Sequence, residues 1–206
     1  FEWFELRSYD LRHTAFTHFP FNRLPKTPLN TPVLLLRIDE ETEDHLNIRA
    51  NDITRTMYAD AVKHLAEAGA SLIGFDIIFS RPKDARQDKS FADAIKRAGN
   101  VVLARYIGQK GHRVPLQMFR DAELGEAMIN VALQKDRCLR DMPLLALDFS
   151  GDEPAPVLTM SLELARLYLD FEGEQELDLS RADEFMLGPL RIPYPNGRML
   201  IRFYGP

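Results

Sequence analysis

At 206 residues the chain is long enough for one large domain or two small ones, and its 45% apolar content supplies a real core, which excludes global disorder. The formal net charge is −5, with acids and bases interspersed and no basic stripe, so no nucleic acid is expected as a partner. Cys138 is the only cysteine, which excludes a disulfide framework, and no apolar run approaches the ~20 residues of a membrane helix.

The chain opens with Phe1-Glu2-Trp3-Phe4, without a methionine, and reads as a piece cut from a longer protein. Phe1–Phe19 is expected to be helical, with Phe4, Leu11 and Ala15 on one side, and Pro20 ends it. Pro20–Pro32 carries four prolines and reads as an extended connector. Val33–Asp39 is a short apolar run flanked by Thr31-Pro32 and by acids, which suits a buried strand. Asp52–Ala68 has apolar residues at helical spacing, with Asn51 or Asp52 to cap it and Gly69 to end it. Ser71–Phe79 reads as a second strand. Strand, helix and strand at this spacing form a βαβ unit with parallel strands.

Arg81–Asp88 is a polar loop, and Ser90 with Asp93 resembles a variant capping box for a helix Phe91–Ala98 that stops at Gly99. Asn100–Tyr106 is a third strand, again parallel. Leu116–Ala127 is weakly helical in pattern, and Asn130–Ala132 and Pro143–Phe149 read as strands around the polar turn Gln134–Arg137. Ser150–Pro156 is a loop and the best candidate for a domain boundary. Val157–Leu169 is helical in pattern, and Glu172–Glu184 is acidic and expected to be exposed. Phe185–Tyr204 alternates in β fashion, with Asn196-Gly197 as its hairpin signal. The fold class is therefore α/β: a mostly parallel sheet core covered by helices, with an antiparallel hairpin near the C-terminus.

In an open parallel sheet, ligands bind in the crevice beyond the carboxyl ends of the strands. Asp39 and Asp76 would stand at those ends, and Asp39, Glu40 and Asp76 could hold a hard cation through carboxylate oxygens. The structural alternative is that Asp39 caps a short helix Glu41–Leu46 and that Arg55 or Arg81 neutralises the acids. Asp39, Glu40, Arg55 and Asp76 form the candidate ligand-binding set. Asp10 and Arg12 read as a structural ion pair. The histidines His13, His18, His45, His64 and His112 show no metal-ligand spacing, and no metal or cofactor is expected. There is no Gly-x-Ser-x-Gly elbow, phosphate loop or Gly-x-Gly-x-x-Gly, so no catalytic residue is assigned. Cys138 lies between Arg137 and Arg140 but has no paired histidine, so it reads as a structural thiol, slow to label if buried.

These pieces form an ordered series. Tyr9-Asp10-Leu11-Arg12 is followed by Leu36-Arg37-Ile38-Asp39-Glu40-Glu41-Thr42, Tyr58-Ala59 with Leu65, and Ala68–Ser80 with its Gly74-Phe75-Asp76 core. Asp88, Phe91-Ala92, Gly99–Ala104, Asn130-Val131, Asp136 with Arg140, Ser161-Leu162 with Ala165, and Phe203-Tyr204-Gly205-Pro206 complete it. The series resembles the type-two CHASE domain, an extracytoplasmic sensory module of bacterial transmembrane receptors. Two departures stand out. The family's Trp-Pro-Trp-Pro-Arg-like segment is matched only at Arg55, and its Asp-Gly is Asp136-Arg137 here. Family members also continue past the Tyr-x-Gly-Pro-like end.

The resemblance implies a single sensory domain over residues 1–206, lacking its C-terminal segment, with 1–19 as a membrane-proximal helix. It implies membrane helices outside this chain and a cytoplasmic output such as a cyclase, histidine kinase or other kinase. The expected partners are a small molecule or ion. A homodimer is a further expectation, with the Phe1–Phe19 helix packing against its symmetry mate or against the missing C-terminal segment. The non-receptor alternatives are a metal-dependent hydrolase using Asp39 and Asp76 and a structural or oligomerisation domain without a ligand.

Overall fold

A computed structural model describes residues 33–108, 111–131, 136–151, 153–169, 184–187, 190–193 and 197–201. The helix expected over 1–19, the connector that follows it and the pair Asp10–Arg12 lie outside the described residues. The chain divides into two compact units, Phe1–Ala50 with Ile201–Pro206, and Asn51–Leu200.

In the first unit, residues 33–39 do not form the expected strand. They have no regular secondary structure, and Val33, Leu34, Leu35 and Leu36 are exposed. A strand is held by a neighbour's backbone groups, and an apolar run fixes the demand for burial without fixing that neighbour. Helix α1, Glu40–Leu46, follows directly. Asp39 caps it by accepting from the Thr42 N–H at 3.1 Å and the Thr42 hydroxyl at 3.0 Å. Glu40, Glu41 and Glu43 in its first turn suit the positive end of the helix dipole.

The second unit is built on a parallel sheet. Helix α2, Arg55–Glu67, starts later than the periodicity predicts, because Thr54 caps it and Ala50–Asp52 is a 3₁₀ turn. The Thr54 hydroxyl accepts from the Met57 N–H at 3.3 Å. Strand β1 is only Ile73–Phe75. Helix α3, Ala85–Ala98, crosses over to β2, Val101–Arg105, which pairs with β1 in parallel register, Ile73 opposite Val101 and Phe75 opposite Leu103. The parallel pairing expected between the second and third strands is thus present, whereas the βαβ unit expected to open at residues 33–39 is not, because those residues form no strand. A short helix α4, Gln117–Arg120, leads to β3, Gly125–Met128, which pairs with β2 on its other side, Leu103 opposite Glu126. All five residues of β2 are buried, as a strand with a neighbour on both edges and both faces covered requires.

Helix α3 begins six residues before the expected Phe91 because Asp84, not Ser90, is its cap. Asp84 Oδ1 accepts from the N–H groups of Arg86 and Gln87 at 3.1 and 3.0 Å. Of the polar run read as a loop, Ala85–Asp88 is the first turn of the helix, and Asp88 in it is turned inward and buried. Its far end is as predicted: Gly99 takes φ 67°, a left-handed value that glycine adopts without steric cost, and its N–H donates to the Ile95 carbonyl.

The core between sheet and helices is aromatic. Phe79, Phe91 and Phe119 are fully buried, with Tyr58 and Phe75 packed around them. Phe91 meets Phe79 at 4.9 Å and Phe119 at 5.2 Å between ring centroids, both near edge-to-face.

The remaining elements are antiparallel. Strands β5, Leu145–Asp148, and β6, Ala155–Leu158, form a hairpin, so the loop read as a candidate boundary is its turn. A parallel bridge from Met128 to Thr159 sets the end of β6 beside β3. Helix α5, Met160–Tyr168, then passes over β1, where a Cβ at Gly74 would lie 2.9 Å from Leu164 Cδ1. Leu144, Leu158 and Leu162 form a second cluster, with Ile192 and Met199 against it.

The C-terminal hairpin is β7, Glu184–Leu187, with β8, Leu190–Pro193. The pairing runs from Glu184 opposite Pro193 to Leu187 opposite Leu190, and the strands on either side of 194–198 do not pair with one another as expected. Pro193 and Pro195 remove backbone donors around the Asn-Gly pair. The next strand, β9, Met199–Leu200, pairs instead with β4, Asp141–Met142.

Candidate functional site

The start of α2 and the start of α3 meet beyond β1 through a buried ion pair. Arg55 Nε donates to Asp88 Oδ1 at 3.0 Å, with both side chains almost fully buried. The Lys83 N–H donates to Asp88 Oδ2 at 2.9 Å, and Arg55 Nη2 donates to the Arg81 carbonyl at 3.1 Å. The guanidinium also lies over the Phe79 ring at 4.6 Å and near Phe119 at 5.6 Å. Both charges are therefore satisfied, as burial demands. Lys83 Nζ in turn donates to the carbonyls of Asn51 and Ile53.

A cleft of about 410 Å³ opens beside this pair, lined by Pro82, Lys83, Ala85, Asp88, Leu116, Gln117 and Met118. Its walls come from the segment after β1, the first turns of α3 and the start of α4. The Leu116 N–H donates to the Phe79 carbonyl at 2.9 Å, which ties the α4 wall to the segment after β1.

The four residues named as a ligand set are placed as follows. Arg55 lies beneath the cleft through Asp88. Asp76 is exposed just beyond β1 and makes no hydrogen bond or ion pair with the described residues. Asp39 is engaged as the α1 cap, and the Thr42 N–H and hydroxyl, then Arg37 at 3.4 Å, hold its carboxyl below the usual range. Glu40 is exposed in the first turn of α1. Among the described residues, no group of three or more histidine, cysteine or acidic side chains is placed to hold a metal ion. His45, His64 and His112 are on the surface. Cys138 is exposed, not buried. Asp136 accepts from the Cys138 N–H and pairs with Arg140 at 2.8 Å, and these contacts hold its carboxyl below the ordinary value. Arg137 adopts φ 63° at the position where the resembled family has glycine.

A second charged cluster went unread in the sequence. Arg105, buried at the end of β2, pairs with Glu126 on β3 at 3.4 Å and with Asp148 on β5. Arg120 on α4 also pairs with Glu126, and His112 lies 3.9 Å from Asp148. The Ser150 hydroxyl and N–H, with Arg105, hold the Asp148 carboxyl at about 2. The available signal was Arg105 itself, since a cation closing an apolar central strand must find buried partners. Asp88 gives less warning, because it stands in a polar run with the composition of a loop.

Among the described residues, no helix is long and apolar enough to cross a membrane. The family model described as CHASE2 domain matches residues 1–206, the whole chain. No curated protein and no solved structure matches it.

Proposed function

The chain belongs to the CHASE2 domain family, a family of extracellular sensory domains, and on that premise we propose that it is the extracytoplasmic sensor of a bacterial transmembrane signalling receptor. Membrane helices outside this chain carry its signal to a cytoplasmic output domain such as a cyclase or a kinase. The domain binds a small molecule in the cleft beside the Arg55–Asp88 pair and works as a homodimer.

The observation that carries this reading is the position of the cleft. It is bounded by three separate segments, and the ion pair at its floor fixes two helix starts to one another. A molecule seated there favours one spacing of α2, α3 and α4 over another, and it shifts the equilibrium by its difference in affinity for the two. Pro82, Ala85, Leu116 and Met118 give apolar walls, while Lys83, Asp88 and Gln117 give polar points. The fitting ligand is small and mostly apolar with a polar end.

The test is a thermal-shift screen of the chain against a panel of small metabolites, run beside Ala85→Phe, which fills the cleft from an exposed position. A compound that stabilises the wild type and leaves the variant unmoved is expected. A compound that stabilises both equally, or a full receptor that responds normally with Ala85→Phe, overturns the reading.

A further inference from the structure

The turn between α4 and β3 carries two carboxyl groups that do not fit together as two anions. Glu123 lies in that turn and Glu126 on β3, within hydrogen-bonding reach of one another. Among the described residues, Oε2 of Glu123 is buried with no hydrogen-bond donor. Oε2 of Glu126 is also buried without a hydrogen bond to the described residues, although it faces Arg105 Nη1 at 3.4 Å. Two acceptor oxygens shut away from water in this way call for a proton between them.

The charges around the pair lead to the same count. From α4, Arg120 Nε donates to Glu126 Oε1, and Asp121 follows it. From β2 comes Arg105, which also reaches Asp148 on β5. His112 stands beside Asp148, and Glu163 on α5, which approaches Gly125, is already paired with Arg166 at 2.6 Å. Ionised throughout, Glu123, Glu126 and Asp148 set three negative charges against the two positive charges of Arg105 and Arg120. One bound proton makes that set of three carboxyls and two guanidiniums neutral, while Asp121 is exposed and bonded to Gln117.

We propose that Glu123 and Glu126 form a proton-operated latch that holds the α4–β3 turn closed while they share a proton and loosens it when the proton leaves. With the proton in place, the carboxyl of Glu123 donates to Glu126. Without it, two like charges face each other in a half-buried turn and repel. The turn is attached to α4, whose Leu116, Gln117 and Met118 line the cleft, so the latch sits where loosening would alter a binding wall.

Burial, then the charge of Glu126, raises the Glu123 carboxyl from 4.5 to about 8. The native state therefore keeps a proton that the unfolded chain has released. The contribution to stability is fully present below pH 4.5, and it declines as the pH rises until the native proton is lost near pH 8.

The experiment uses the whole chain, with thermal unfolding followed from acid to alkaline pH for wild type and Glu123→Gln. Glutamine keeps a neutral donor, so the two midpoints should coincide in acid and the variant should unfold several degrees higher in alkali. In parallel, the Glu123 side-chain carboxyl carbon of the wild type is followed by NMR, with an inflection expected near the raised value. Superimposable pH profiles, or a Glu123 carboxyl that titrates like a free glutamate, would overturn the latch. Should Glu123→Gln fail to fold, the carboxyl titration of the wild type decides alone.

Discussion

Asp88→Ala is expected to lower the stability of the domain by about 3–5 kcal/mol, because it leaves a buried guanidinium without its counter-ion. Arg55 is 5% exposed and its Nε has Asp88 as its acceptor, so water cannot replace the lost partner without opening the start of α2. The same change frees the Lys83 N–H, which loosens the segment that leads into α3. Contact with Phe79 and Phe119 softens the loss but does not supply an acceptor. At the usual scaling for a chain of this size, the unfolding midpoint should fall by roughly 6–20 °C. The double change Arg55→Met with Asp88→Leu should recover most of that loss, since an apolar pair replaces two charges that both had to leave water. Urea unfolding of the three variants checks this. A loss below about 1 kcal/mol for Asp88→Ala would mean that the pair is not buried in solution.

Arg105→Met should cost a similar amount, about 3–5 kcal/mol near neutral pH, for the opposite reason. Among the described residues, it leaves Glu126 with Arg120 and leaves Asp148 without a guanidinium. The loss should also depend on pH in a defined direction. The Asp148 carboxyl is held at about 2 in the native state, against 3.8 ordinarily, by the Ser150 hydroxyl and N–H and by Arg105. The variant keeps the Ser150 contacts and lacks only Arg105's share of that stabilisation, which is present above pH 3.8 and disappears as the pH falls toward 2, so the gap between wild type and variant should narrow over that window. Unfolding free energies measured at neutral pH and at successively lower pH check it. A gap that stays constant into acid would mean that methionine acts through packing alone.

Much of the parallel core was legible in the sequence. Val101-Val102-Leu103-Ala104 is an apolar run too short for a helix, and Gly99 before it marks a helix end, so β2 and the close of α3 followed from local chemistry. The start of α3 was hidden because a solvent-facing helical turn and a polar loop have the same composition. Only Asp84, three residues before Gln87, distinguished them. Residues 33–39 carried the same apolar signal as β2, yet only β2 has a strand on each side. Pairing is a property of the whole sheet and cannot be read from one run. The same limit applies to the C-terminal hairpin, whose strands are Glu184–Leu187 and Leu190–Pro193 and not the two that flank the Asn-Gly signal.

The site was less legible than the fold. Arg55 stands out in the sequence for its match to the resembled family and its nearness to the acids, but its partner is Asp88, 33 residues away. Glu123, Glu126, Arg105 and Asp148 are scattered over a turn and three strands, and only tertiary packing brings them together. Nothing in their spacing announces it. Asp39 shows the reverse case: a capping role was written locally in Asp39-x-x-Thr42, and that is the role it has.

The measurement that tests the sensor reading most directly is hydrogen exchange on the chain, with and without the compound that gives the largest thermal shift. Slower exchange is expected in residues 82–88 and 116–118, which line the cleft, and in the first turn of α2, which the Arg55–Asp88 pair couples to it. Protection confined to the β5–β6 hairpin, with those segments unchanged, would contradict the assignment of the cleft as the sensing site.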